Sequence, residues 1–112
     1  MSEVNWSDLE SKAAELSTSK GRTIIPFSLI GDNEDDHVIG YMYEIDPLTD
    51  VKLMAAKIEG FEKSLPMAFR VLESMILWDE SDQRIKEKKY MNGAALFLLS
   101  LVEIATPEFK KK

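Results

Sequence analysis

The stretch from Arg22 to Pro47 reads RTIIPFSLIGDNEDDHVIGYMYEIDP. Its first part is β-branched and aromatic, with Thr23, Ile24, Ile25, Phe27, Leu29 and Ile30, and its last part repeats that character in Val38, Ile39, Tyr41, Met42, Tyr43 and Ile45. Between them lies a polar segment, Gly31 to Asp36. Two such runs joined by a turn predict an antiparallel β-hairpin. Pro26 has no amide to donate, which places the first strand at a sheet edge or at a bulge. A lone hairpin is marginal in water, so this one needs helices over it or strands from another copy. Either arrangement leaves an edge to manage, which is one route to a homo-oligomer.

Upstream, Ser7 and Glu10 have the spacing of a capping box, and Leu9, Ala13 and Leu16 form a weak apolar stripe that Ser17, Thr18, Ser19 and Gly21 bring to a stop. This predicts a short, loosely docked helix with Trp6 as its anchor. Downstream, Asp46 and Pro47 read as an N-cap and first helical position, where proline's missing donor costs nothing. Leu48, Val51, Met54, Ala55 and Ile58 then keep helical spacing up to Gly60. A second helix is expected to start between Ser64 and Pro66 and to carry Leu65, Ala68, Phe69, Leu72, Met75 and Ile76 on one face. After the polar break Asp79 to Asp82, a last helix runs from about Ile85 or Glu87 to Ala105, where Thr106 and Pro107 end it. The predicted class is therefore α+β: a short N-terminal helix, an antiparallel β-hairpin, then three α-helices packed on it. Residues 1–21 are the N-terminal helix and linker and 22–112 the α+β domain of a single-domain chain, as its 112 residues suggest.

Composition excludes several functions. There is no cysteine, so disulfides and thiol chemistry are ruled out, in keeping with a reducing, cytoplasmic setting. The net charge of -6 repels nucleic acid and anionic lipid. The basic clusters Lys86, Lys88, Lys89 and Lys110 to Lys112 read as a solvated helix start and a tail. Met1 to Ser7 lacks the basic and apolar regions of a secretory signal, and the longest nearly apolar run, Gly93 to Val102, is about half of a bilayer span, so no membrane segment is expected. The acidic run Asp32, Glu34, Asp35, Asp36 is not a calcium loop, because His37 and Tyr43 stand where glycine and a bidentate glutamate are required. His37, the single histidine, has carboxylates beside it, but no nucleophile or phosphate-binding pattern accompanies it. We expect neither an enzyme nor a cofactor or metal.

The last helix concentrates the binding signal. Ala94, Ala95, Leu96, Phe97, Leu98, Leu99, Leu101, Val102 and Ile104 point in nearly every direction, and such a helix wants contacts on more than one side. Leu96, Leu99 and Ile104, with Phe97 and Trp78 as anchors, are the candidate partner-binding residues, because large apolar side chains carry most association energy.

From Val38 onward the chain resembles the small tail assembly chaperones of long-tailed bacteriophages and prophages. The resemblance lies in the order of its elements: Tyr41 to Pro47 as a strand running into a proline-started helix, Leu65 to Leu72 as a helix opening with proline and alanine, Leu77 to Asp82 as an acidic break, and Tyr90 to Ile104 as an apolar helix closing on Lys110, Lys111 and Lys112. It implies a non-catalytic, early-acting protein that coats the hydrophobic, helical tape measure protein while the tail tube grows around it. The family often makes a longer product by ribosomal frameshifting near the end of the short frame, and the three terminal lysines are compatible with an adenine-rich slippery run. The alternative from a different class is a small acidic interaction module, an adaptor, immunity or inhibitor protein, acting through the hairpin carboxylates Asp32, Asp35 and Asp36.

Overall fold

The computed structural model describes residues 4–104. Helix α1 (Trp6–Lys20) is followed by strands β1 (Ile24–Ile30) and β2 (His37–Tyr43), then by helices α2 (Pro47–Glu59), α3 (Phe61–Met75) and α4 (Lys88–Ser100), with 3-10 turns at Trp78–Glu80 and Gln83–Lys86. The expected α+β order of helix, hairpin and three helices is the observed one.

The two strands pair antiparallel, with Ile24 opposite Tyr43 and Ile30 opposite His37. Alternation along a strand sends successive side chains to opposite faces. Ile25, Phe27 and Leu29 of β1 and Val38 and Met42 of β2 enter the main core with Leu53, Ala68, Leu72, Ile85 and the buried residues of α4. Ile24 and Tyr41 turn to the other face, where Ala13 of α1 and Leu77 meet them and Leu9, Leu16, Ile39 and Tyr43 pack around. The hairpin is thus a layer between α1 and the three later helices. Gly40 sits opposite Phe27 on the inner face, and its missing side chain is the room in which the Phe27 ring lies.

The two edges of the hairpin are treated differently. Along β2, the Leu77 amide donates to the Tyr41 carbonyl at 2.8 Å, the Tyr41 amide to Ser81 Oγ at 3.0 Å and the Asp82 amide to the Ile39 carbonyl at 2.9 Å. Met42 also bridges Ile76. The segment after α3 therefore stands in for a third strand. On the outer edge of β1 the Ile24 amide donates to Ser17 Oγ at 2.8 Å. The next outward position is Pro26, with nothing to donate, so proline marks an edge as its chemistry requires.

Four local expectations are corrected. The cap of α1 is Asn5, whose side chain accepts from the Asp8 amide at 3.2 Å, so Ser7 lies inside the first turn and makes no capping box. Asn is as good a cap as Ser, and this start puts Asp8 at the positive end of the helix dipole. The helix is also docked and not loose: Ser17 Oγ donates to the Ala13 carbonyl at 2.8 Å while accepting from Ile24, and Trp6 stays half exposed and anchors little. Helix α3 starts at Phe61, because Gly60, at φ 110°, turns the chain sharply out of α2 and the next helix begins at once. Pro66 then falls inside α3, where it leaves the Glu62 carbonyl without its helical donor. Finally, α4 is shorter than expected: the Gln83–Lys86 turn precedes it, with Asp82 accepting from the Arg84 amide, and it closes at Leu101. Thr106 and Pro107 lie outside the described residues.

The end of α4 is held by its neighbour. Lys57, in the last turn of α2, reaches across and donates Nζ to the Leu99 carbonyl at 3.0 Å and the Val102 carbonyl at 2.8 Å. A cation is thereby placed on the carbonyls a helix C-terminus leaves unpaired. Lys57→Met keeps the aliphatic stem and removes this link, and we expect it to lower stability by about 1 kcal/mol, a typical net value for a charge-assisted bond at a half-exposed site. Urea unfolding measures this, and faster amide exchange should be confined to the last turn of α4.

Candidate functional site

The five residues expected to bind a partner separate into different environments. Leu99 is 3% exposed and belongs to the main core with Ala94, Ala95, Leu98 and Val102, so it offers no surface. Phe97 stacks on Phe27, with ring centroids 5.2 Å apart, and joins α4 to the hairpin. Trp78 donates its indole N–H to the Glu73 carbonyl at 3.2 Å, and Lys86 lies over its ring. Leu96 at 52% and Ile104 at 44% are exposed, eight positions apart and with Ile104 beyond the end of α4. The structure does not gather these residues into one patch. The over-apolar helix is covered by β1 of the hairpin on one side and by α3 and the Gln83–Lys86 turn on others, so most of its apolar run is core and Leu96 is left outside.

The apolar surface left uncovered lies on α2. Its core face carries Leu53 and Ala56. Its opposite face carries Leu48, Val51, Ala55 and Ile58, all exposed, the three larger ones at 64%, 53% and 70%. The spacing of three, four and three positions forms one straight stripe on a helix, the seam pattern of a coiled coil. Exposed Phe61 follows just past Gly60. These residues were visible in the sequence as helical spacing, but as a single face together with Met54. The signal that separates the faces is the second pair, Leu53 and Ala56, which falls on the far side of the stripe.

Beside the first turn of α2 opens a cleft of about 540 Å³, lined by Ile25, Glu44, Ile45, Pro47, Asp50 and Leu101. It extends the apolar surface toward the end of α4. The first turn itself is firmly built: Asp46 accepts from the Thr49 amide at 2.7 Å and from its hydroxyl at 3.0 Å, which holds the Asp46 carboxyl below its ordinary range. The stripe is therefore displayed on a capped, proline-started helix.

The acidic hairpin turn is tied to the fold at one carboxylate. Arg84 donates Nη1 and Nη2 to Asp36 at 2.7 and 3.0 Å and holds Asp82 through Nε and Nη2. Asp36 also accepts from the Asp32 amide at 3.0 Å. The guanidinium bond, then that amide, bring the Asp36 carboxyl down to about 2, and the same arginine lowers Asp82. Asp36 is thus a structural clamp between the turn and the 3-10 segment, whereas Lys89 reaches Asp32 at 3.5 Å in full exposure and adds little. Because the folded value lies below the ordinary 3.8, the clamp stabilises above pH 3.8 and that contribution is lost as pH falls toward 2. Asp36→Asn should lower the melting temperature at neutral pH and flatten its decline between pH 4 and pH 2. An unchanged slope in that window would contradict the assignment.

Among the described residues no group of His, Cys, Asp and Glu side chains is placed to hold a metal ion, and no helix is long and apolar enough to cross a membrane. No protein-family model matches the chain, nor does any curated protein or solved structure.

Proposed function

We propose that the protein is a non-catalytic binding module that holds an amphipathic helix of another protein against α2, and that it serves as a tail assembly chaperone with the tape measure protein as its client. The observation that carries this reading is the exposed stripe Leu48, Val51, Ala55 and Ile58, set directly opposite the core face of the same helix. A helix presenting apolar residues at that spacing complements a second helix bearing the same pattern, and binding is read as anchors at successive turns. A tape measure protein, long, helical and hydrophobic by the resemblance, supplies such segments repeatedly. The net charge of -6 would keep a chaperone coated on so apolar a client in solution. The acidic-module alternative loses part of its support, since Asp36 is engaged by Arg84.

The test is co-purification with a tagged, heptad-patterned segment of a tape measure protein. Val51→Asp and Ile58→Asp change exposed positions and should leave the melting temperature nearly unchanged while abolishing capture. Reversal of Asp32 and Asp35 to lysine should leave capture intact. Retained capture by both stripe variants, or its loss on reversing Asp32 and Asp35, would move the function to another face.

A further inference from the structure

We infer that in the free protein the α2 stripe is covered by the α2 of a second copy, the two helices running antiparallel and crossing at Ala55. This deepens the reading above, since it makes self-pairing the resting cover of the client site. Lys52 and Glu59, both exposed, stand seven positions apart and therefore on the same side of the helix, two turns from each other. A two-fold axis that reverses one helix against the other keeps each flank on its own side. Residues about equally far before and after the crossing point, to within one residue's rise of about 1.5 Å, then meet. With the crossing at Ala55, Lys52, three positions before it, faces Glu59 of the second copy, four positions after it, and the reciprocal pair forms by symmetry. In the same register Val51 faces Ile58 of the second copy and Leu48 passes just beyond the end of the opposing α2. The residue at the crossing is an alanine, whose small side chain lets two backbones come close.

Other arrangements use these residues less well. In a parallel pair the Lys52–Glu59 flank would lie against the opposite flank, which carries Met54, and both charges would go unmatched. Crossing two residues earlier, at Leu53, brings Lys52 beside Lys52 of the second copy. The register at Leu53 pairs Leu48 with Ile58 and Val51 with Ala55 but sets lysine on lysine, whereas the antiparallel register at Ala55 sets Val51 against Ile58 and Lys52 against Glu59 at once. Three large exposed side chains per copy, with Phe61 nearby, correspond to the small end of interface sizes, about 1,000 Å² in total, so a dissociation constant in the micromolar range is expected.

Sedimentation equilibrium across a dilution series tests this with the wild type, Lys52→Glu, Glu59→Lys and the doubly exchanged protein, all checked for unchanged circular dichroism. Each single reversal turns two attractions into two repulsions and should weaken the dimer about tenfold or more. The double exchange restores both pairs and should return the wild-type constant, and an equimolar mixture of the two single variants should form the heterodimer. A wild type that stays monomeric at several hundred micromolar, single variants that dimerise like the wild type, or a double exchange that fails to recover would each overturn the pairing. Client capture is read separately on the same samples: a monomeric wild type that still captures the tape measure segment sinks the dimer alone. A dimer that follows the charge rules yet captures nothing sinks the client reading alone.

Discussion

Leu99→Asp will unfold the protein, whereas Leu96→Asp, three residues earlier on the same helix, will leave its stability within about 0.5 kcal/mol. Both leucines belong to the apolar run of α4, and the difference lies in what surrounds them. Leu99 is 3% exposed and packed in the main core, so an aspartate there loses the packing of a buried leucine and places a carboxylate among apolar side chains. Loss of the side chain alone costs about 2–5 kcal/mol, and burying a charge or forcing it to stay protonated adds several more. A domain of this size has about 5–15 kcal/mol in total, so the sum removes most or all of it. Circular dichroism and one-dimensional NMR of the two variants side by side decide the matter. A folded Leu99→Asp protein would mean that α4 is not the centre of the core.

The second large effect is expected at Gly40, where alanine should destabilise the fold by about 3 kcal/mol, near the upper end of what overpacking costs. A Cβ built there would lie 2.6 Å from Cε1 and 2.8 Å from Cε2 of the Phe27 ring and closer still to Cζ. The ring has no free direction in which to withdraw, because it is buried and stacked on Phe97. Either the strands separate locally or the Phe27–Phe97 stack slides. Combining Gly40→Ala with Phe27→Leu should recover part of the loss, a coupling that two independent sites would not show. Chemical denaturation of the four proteins in the cycle supplies the number.

The hairpin and the order of the helices were legible because each rested on local chemistry: β-branched runs around a polar turn, Asp46 with Pro47 at a helix start, Gly21 and Gly60 at helix ends. Pro26 announced an edge for the same reason. What could not be read locally was exposure. Leu99 and Leu96 are alike in sequence, and only the arrival of the hairpin and the other helices around α4 buries the first and leaves the second out. In α2 the converse happened, since Leu53 and Ala56 on one face and Leu48, Val51, Ala55 and Ile58 on the other merge into one apolar helical pattern until a core exists to choose between them. Pro66 misled because a proline usually opens a helix, while here Gly60 had already ended the preceding one and fixed where the next begins. The segment from Ile76 to Asp82 carries no strand pattern at all, because its bonds to β2 come from isolated amides and one serine hydroxyl.

That segment also sets an order of events during synthesis. Ser81 closes on Tyr41 from 40 residues further along the chain, so at translation rates of about 5–20 residues per second β2 leaves the ribosome roughly 2–8 s before its cover does. Throughout that interval the hairpin has one edge protected by its own sequence, at Pro26, and one edge bare. A crowded polysome is thus the place where this protein is most exposed to strand pairing with its neighbours. Substitutions that slow the arrival of residues 76–82 should appear first as lower soluble yield, before any change in the stability of the finished fold.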